Sequence, residues 1–290
     1  FLLNAGAVFF EEPSFKINEF APFDNCVWIF GETGKALIDR LEGISFADTG
    51  SRLFKDAGWG VSKGSMGQVF VSAGPNGQGG DGGHSHNDKP SFDYIYNCED
   101  IITDTGTYTY TAVPELRNKY RSTRAHNTVI IDGLEQNLME EEKLFFLEDR
   151  SKARIKCMQI SDEFDFIEAA HYGYSLPDAK PGAKSGTKPG AKIKVIHNRQ
   201  FLSLKRENSL LLKDTLSGEG KHCAVAVFHA GRCIDLKINE KGEVYFFNKH
   251  RENILKICCF GNAVPVIKIG CFPLSEGYGI KSDSSMLEYS

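Results

Sequence analysis

From Phe54 onward the chain is written in period two, and that property excludes most folds. Gln68-Val69-Phe70-Val71-Ser72-Ala73 is a short apolar run, and Ser91 to Tyr96 alternates with Phe92, Tyr94 and Tyr96 on one face. Ala153-Ile155-Cys157, Leu202-Leu204 and Ile234-Leu236-Ile238 repeat the alternation, and residues 225–228, 244–246 and 254–260 add further runs between turn residues. Successive side chains of a strand point to opposite faces, so each run has one face to bury. Many short strands with almost no helix between them imply an antiparallel sandwich. The expected fold class is therefore mainly β, with an antiparallel β-sandwich over residues 51–290. Residues 1–50 differ: 25–30 and 34–43 have helical character, with Gly43 placed like a C-terminal cap. One or two helices cannot bury their own apolar stripe, so this segment needs a partner surface.

The densest chemistry follows a loop carrying Gly74, Gly77, Gly79, Gly80, Gly82 and Gly83. There His84-Ser85-His86-Asn87-Asp88 places two histidines one residue apart. On an extended backbone they share a face and converge on one spot. Asp104 closes the strand-like run 100–103, and His126 opens the run 127–131. Two His and one Asp from the ends of three neighbouring strands make a nitrogen/oxygen ligand set suited to Zn²⁺ or a similar ion. On the His pair alone, solvated loop histidines explain the text equally well. Gly77-x-Gly79-x-x-Gly82 satisfies a dinucleotide fingerprint, but His84 to Pro90 and then a strand follow it, so no helix N-terminus is available for a pyrophosphate. These glycines are expected to let the backbone run close to a ligand.

Composition narrows the partners. The formal net charge is -4 over 290 residues with a pI near 6.1, which is no basic footprint for nucleic acid. A local cluster such as Arg117, Lys119, Arg121 and Arg124 still suits a polyanionic sugar. No apolar run approaches the ~20 residues of a membrane span. Eight scattered cysteines include no CxxC, and several, such as Cys157, read as buried free thiols. The stretch 180–192, rich in Pro, Gly and Lys, reads as a surface loop. The chain opens on Phe1, which reads as a processed or truncated start, so a missing leader says little. The oligomeric state stays open.

Three ordered blocks carry a family resemblance. His84-Ser85-His86-Asn87-Asp88-Lys89-Pro90-Ser91-Phe92, then Asp104-Thr105-Gly106-Thr107-Tyr108-Thr109-Tyr110, then Arg117 through Arg121-Ser122-Thr123 to His126-Asn127-Thr128, resemble the heparinase II/III-like polysaccharide lyases. Weaker landmarks are Tyr172-Gly173-Tyr174, His197-x-Arg199 and Ser275-x-Gly277-Tyr278-Gly279. Pro90 departs from the usual aliphatic residue, and 180–192 looks like an insertion. The resemblance implies a C-terminal β-sandwich, with residues 1–50 as the last helices of an otherwise missing α/α toroid. It implies β-elimination on a uronic-acid polysaccharide of the heparin, heparan sulfate or alginate kind, with His84 as the catalytic histidine. It also implies one structural divalent metal, Zn²⁺ above others, on His86, Asp104 and His126. Arg121, Tyr110 and Tyr120 become substrate-binding candidates, although tyrosines in such text are more often core. Asp88 and Asn127 become candidates for fixing ring tautomers. A Tyr acid/base and a carboxylate-neutralising Asn or His come from the toroid in that family, so this chain alone is expected to be inactive. A periplasmic or secreted location is implied. Two other readings stay open: a non-catalytic carbohydrate-binding or structural sandwich that keeps the metal, and a cupin-like metal oxygenase, which needs an open metal.

Overall fold

A computed structural model describes residues 2–16, 25–44, 50–175, 193–261 and 265–290. The chain divides into two compact units, Phe1–Gly50 and Ser51–Ser290. In the first, helices Leu2–Phe10 and Asn25–Arg40 bury Ala7, Val8, Cys26 and Ile38 together, with Phe30, Leu37 and Leu41 packed against them. Asn25–Arg40 holds two helical stretches across a kink at Gly31, whose φ of 65° a side chain would resist. It ends at Arg40, short of the expected cap at Gly43. The loop 180–192 lies outside the described residues.

The second unit is built from antiparallel sheets. Five strands, Arg52–Phe54, Trp59–Lys63, Gly67–Ser72, Ser91–Tyr96 and Glu99–Ile102, pair in sequence order. Four more, Arg154–Ile160, Phe164–His171, Ile196–Leu204 and Ser209–Ser217, form a second meander. A third sheet pairs Val129–Ile131 with Ala224–His229, then Ser285–Tyr289, then Ile267–Cys271. A three-stranded sheet from Asp235 to Ile257 and the hairpin Leu274–Ser282 complete the unit. The alternating faces meet in one core in which Phe92 sits 5.5 Å from Phe201 and 5.9 Å from Phe228, ring centre to ring centre. Burying each such side chain contributes roughly 1.5–3 kcal/mol. The mainly β, antiparallel expectation holds because the period-two runs pair, and those of the central strands, such as Gly67–Ser72 and Phe164–His171, turn one face inward.

Two expectations give way. Cys157 is exposed, not buried, because a register shift between Ile155 and Cys157 breaks the alternation that would have turned it inward. Residues 114–121 form a helix, where almost no helix was expected between the strands. Its signals were Pro114 and Glu115 in the first turn, favourable at a helix start, with Lys119 and Arg121 in the last.

A buried polar node ties the second meander to the rest. Arg199 donates from Nε and Nη2 to the two oxygens of Asp214 at 2.7 and 2.9 Å, and from Nη1 to the carbonyls of Asn127 and Pro90 at 2.6 and 3.2 Å. His197 Nε2 shares Asp214 at 2.7 Å, and the ring of His171 lies 5.2 Å from that of His197. Burial holds both imidazoles below their ordinary value, outweighing the pull of Asp214 on His197. A base depressed in the folded state takes up its proton on unfolding, so its contribution is complete above the unfolded value near 6.5 and falls away below it. Acidification from pH 7 to 5 is therefore expected to destabilise the protein. His171→Gln should reduce that loss by up to about 2 kcal/mol, one proton over about 1.5 pH units. Urea unfolding at the two pH values measures the difference; identical losses in both proteins would refute it.

Candidate functional site

Strand direction brings the conspicuous residues to one edge. Gly67–Ser72 and Glu99–Ile102 both run antiparallel to Ser91–Tyr96, so they run parallel to each other and their C-terminal ends open together. The glycine loop leaves from one and Asp104 follows the other. His126 arrives just before Val129–Ile131, whose partner Ala224–His229 is joined to this edge by the Ile102–Ala230 bridge and by Thr103 N donating to the carbonyl of His229. Gly106 allows the final closure. It has φ +79°, and a Cβ there would stand 2.3 Å from the carbonyl oxygen of Ser275. Ser275 N donates to Thr105 O, and Gly279 N to Tyr108 O, so the hairpin Leu274–Ser282 is seated against the Asp104 loop and presents Tyr278 to Tyr110.

The His84–Asp88 stretch is not extended strand. A turn hydrogen bond, Ser85 N to Gly82 O, and a long-range one, Asn87 N to Arg121 O, hold it. Asn87 is the anchor: its amide donates to Glu135 and to the carbonyl of Asn137, and its oxygen accepts from Asn137. Glu135 also receives Thr123 through backbone and hydroxyl at 2.7 Å each, locking the loop to the chain before His126. Because the backbone turns, His84 and His86 do not converge on one spot. His84 is exposed, with the rings of Tyr110 and Phe145 each 5.6 Å away. His86 turns instead toward His126, 5.2 Å between ring centres.

Asp104 accepts from Gly106 N with one oxygen and pairs with His126 Nδ1 at 2.5 Å with the other. Burial would raise its pKa, but His126 outweighs that and holds it well below the carboxylate range. In turn Asp104 lifts His126 above its ordinary value against burial. Burial, with His126 adding repulsion, lowers His86 to about 3, so its ring is neutral. His126 Nε2 is buried without a hydrogen-bond partner among the described residues. The donor types are those that hold a divalent ion. The lone pairs are engaged otherwise: Arg117 Nη1 donates to His86 Nε2 at 2.8 Å, and Asp104 is bonded to His126. Among the described residues no group of three His, Cys, Asp or Glu stands in metal-holding geometry.

The other expected residues take different places. Arg121 is buried, with its nitrogens donating to Asn118 and to the carbonyls of Glu140, Leu144 and Phe146. It ties down the loop that carries Phe145, leaving no free edge for a glycan. Tyr120 is fully buried, stacked 5.4 Å from Tyr108 and edge-on to Phe272, and burial pushes its hydroxyl up to about 12. It is core and not cleft wall. Asn127 donates to Phe92 O and accepts from His229 N, and Asp88 pairs with Lys89 at 2.6 Å; these are strand and loop ties, not contacts to the rings of His86 or His126. Tyr110 stays at the site, half-buried between His84, Phe145 and Tyr278. Sequence reasoning missed Phe145 altogether. Lys143-Leu144-Phe145-Phe146-Leu147 carries no signal beyond an apolar run, and long-range hydrogen bonds between its backbone and Arg121, Asn76 and Asp81 fix which ring turns to the site.

A family profile described as heparinase II/III-like, C-terminal, matches residues 47–262. No curated protein matches the sequence. Among solved structures, a heparan sulfate lyase HepC mutant from Pedobacter heparinus superposes with a TM-score of 0.68 at 17% identity, over 99% of this chain and 38% of that one. A protein described as heparinase III gives 0.64 at 13% identity, over 99% and 39%. The heparinase III BT4657 gene product gives 0.60 at 19%, over 99% and 38%. The chain thus spans little more than a third of the length of the structures it resembles.

Proposed function

The chain belongs to the heparinase II/III-like family through its C-terminal domain, and from that premise we propose that it is the C-terminal part of a polysaccharide lyase. Its substrate would be a uronic-acid polysaccharide, of the heparan sulfate kind by analogy with the similar structures, or of the alginate kind. The observation that carries the reading is His84: an exposed imidazole set between the aromatic rings of Tyr110 and Phe145, both of which also face the guanidinium of Arg117. β-Elimination removes the proton on C5 of the uronate. The C–H electron pair becomes the C4–C5 double bond, and the O4 leaving group departs with a proton. A positioned imidazole can take or return that proton, and general acid–base groups of this kind contribute typically 10²–10⁴-fold. Tyr110 and Tyr278 offer faces on which a sugar ring can stack.

The remaining machinery is proposed to lie on an N-terminal toroid of which Phe1–Gly50 holds the last helices, so the chain alone should show no measurable cleavage. Turnover comparable to that of a full-length lyase would overturn that division of labour. A polymer-degrading enzyme works where its polymer is, which supports a periplasmic or secreted location. Eight unpaired thiols, six of them exposed, weigh against an oxidising compartment, and fractionation of the source cells decides.

One divalent metal of the Zn²⁺ kind is part of the proposal, held by His86, Asp104 and His126. It would tie three loops together as a staple, with Arg117 giving up His86. Plasma mass spectrometry of protein purified without chelators should find about one ion per chain, lost in His86→Ala and Asp104→Ala. A metal-free wild type would remove the ion from the scheme.

The second reading is a non-catalytic carbohydrate-binding sandwich. The exposed rings of Phe145 and Tyr278 beside Tyr110 support it as well as they support a lyase, and His84 separates the two.

A further inference from the structure

Arg117 is the outlier among the buried cations. Its side chain is fully buried, yet Nε and Nη2 have no hydrogen-bond partner among the described residues; only Nη1 is engaged, on His86 Nε2. Nε and Nη2 form one edge of the guanidinium, two parallel donors spaced for the two oxygens of a carboxylate. The protein itself shows what that edge accepts, since the same two atoms of Arg199 hold the carboxylate of Asp214 at 2.7 and 2.9 Å. A charge taken out of water without an opposite charge is costly. Around Arg117 the compensation is weak: an imidazole and the faces of Tyr110 and Phe145, 5.3 and 5.9 Å from its central carbon, with no carboxylate within hydrogen-bond distance among the described residues.

We propose that the Nε–Nη2 edge of Arg117 is a subsite for a uronate carboxylate of the bound polysaccharide, roofed by Tyr110 and Phe145 beside His84. The inference rests on the glycan reading of this site. It adds a charge-recognising residue on this domain, separate from the neutralisation at the cleaved sugar that the family resemblance assigns to the toroid. Phe145 is the movable part of the roof. Its ring is 42% exposed, so a carboxylate can reach the edge when that side chain changes rotamer while Arg121 keeps the loop backbone in place. A planar carboxylate matches the two-donor edge more closely than a tetrahedral sulfate does.

The test titrates the ¹⁵N-labelled full chain with an unsulfated glucuronate-containing hexasaccharide. It then uses the carboxyl-reduced form, and that form carrying N-sulfates. Arginine Nε–H and aromatic resonances are followed, with Arg117→Lys identifying the Arg117 signal. The expected result is a saturable shift of Arg117 Nε–H with the uronate sugar, and binding about ten-fold or more weaker after carboxyl reduction, without recovery on N-sulfation. Arg117→Lys should bind the uronate sugar with the affinity that wild type shows for the reduced sugar. Shifts at Tyr110 and Tyr278 with Arg117 unmoved, or equal affinity for uronate and reduced sugars, would overturn the carboxylate subsite and leave the glycan reading standing. Recovery of affinity by the N-sulfated form would reassign the edge to sulfate and overturn the proposal as stated. No response of any site resonance to any sugar would overturn both readings. The wild-type comparison needs no variant, so a misfolded Arg117→Lys cannot rescue the proposal.

Discussion

His84→Ala, in a protein that carries this chain together with the N-terminal portion its structural relatives have, should lower polysaccharide cleavage by about 10²–10⁴-fold. Stability should barely change, within about 0.5 kcal/mol, because the imidazole is exposed and anchors nothing. The expectation is sharp because the loop is held by other residues. Asn87 makes the hydrogen bonds that shape it, to Glu135 and to the carbonyl of Arg121, and among the described residues His84 contributes only ring contacts to Tyr110 and Phe145. The measurement is the rise in absorbance of the unsaturated product, beside a thermal melt of the same sample. Unchanged cleavage would leave the sandwich as a binding module. Lost cleavage accompanied by a lower melting temperature would make His84 a structural residue instead.

Arg199→Met should be among the most destabilising single changes available, about 3 kcal/mol or more. The substitution roughly preserves side-chain length, so most of the loss is electrostatic. Asp214 would keep only His197, and the carbonyls of Asn127 and Pro90 would lose the donor they share. For a unit of this size that corresponds to a fall in melting temperature of about 6–12 °C. Arg199→Lys should recover less than half of it, since an ammonium cannot reproduce the two-point contact with Asp214. Asn127 and Pro90 flank the stretches that carry His126 and the His84–Asp88 loop, so the damage should also reach the site. A melting temperature within 2 °C of wild type would show the node to be dispensable.

Both arginines sit in motifs legible in the sequence, yet their offices were not. Arg121 looked like a glycan contact and proves to bind loop carbonyls; Arg117 was one member of a basic run and proves to be a buried cation whose Nε–Nη2 edge has no partner among the described residues. A motif records which residue types travel together, whereas the partner of a guanidinium depends on which carbonyls and carboxylates the fold brings within 3 Å. The same holds for Tyr110 and Tyr120, spelled alike in neighbouring blocks. One lies among the site's rings and the other inside the core, because the helix Pro114–Arg121 points Tyr120 toward Phe272.

What the sequence determined by itself was the class of fold, mainly β with antiparallel sheets. Period-two burial and the order of the blocks are local properties, and local properties survive in text. Only the tertiary structure decided that His84 and His86 turn apart, that Cys157 faces water, and that Phe145 and Tyr278 join a site from loops distant in sequence. Each of those outcomes is set by backbone turns, a register shift or a long-range contact, and none of these leaves a periodic trace in the residues that obey it.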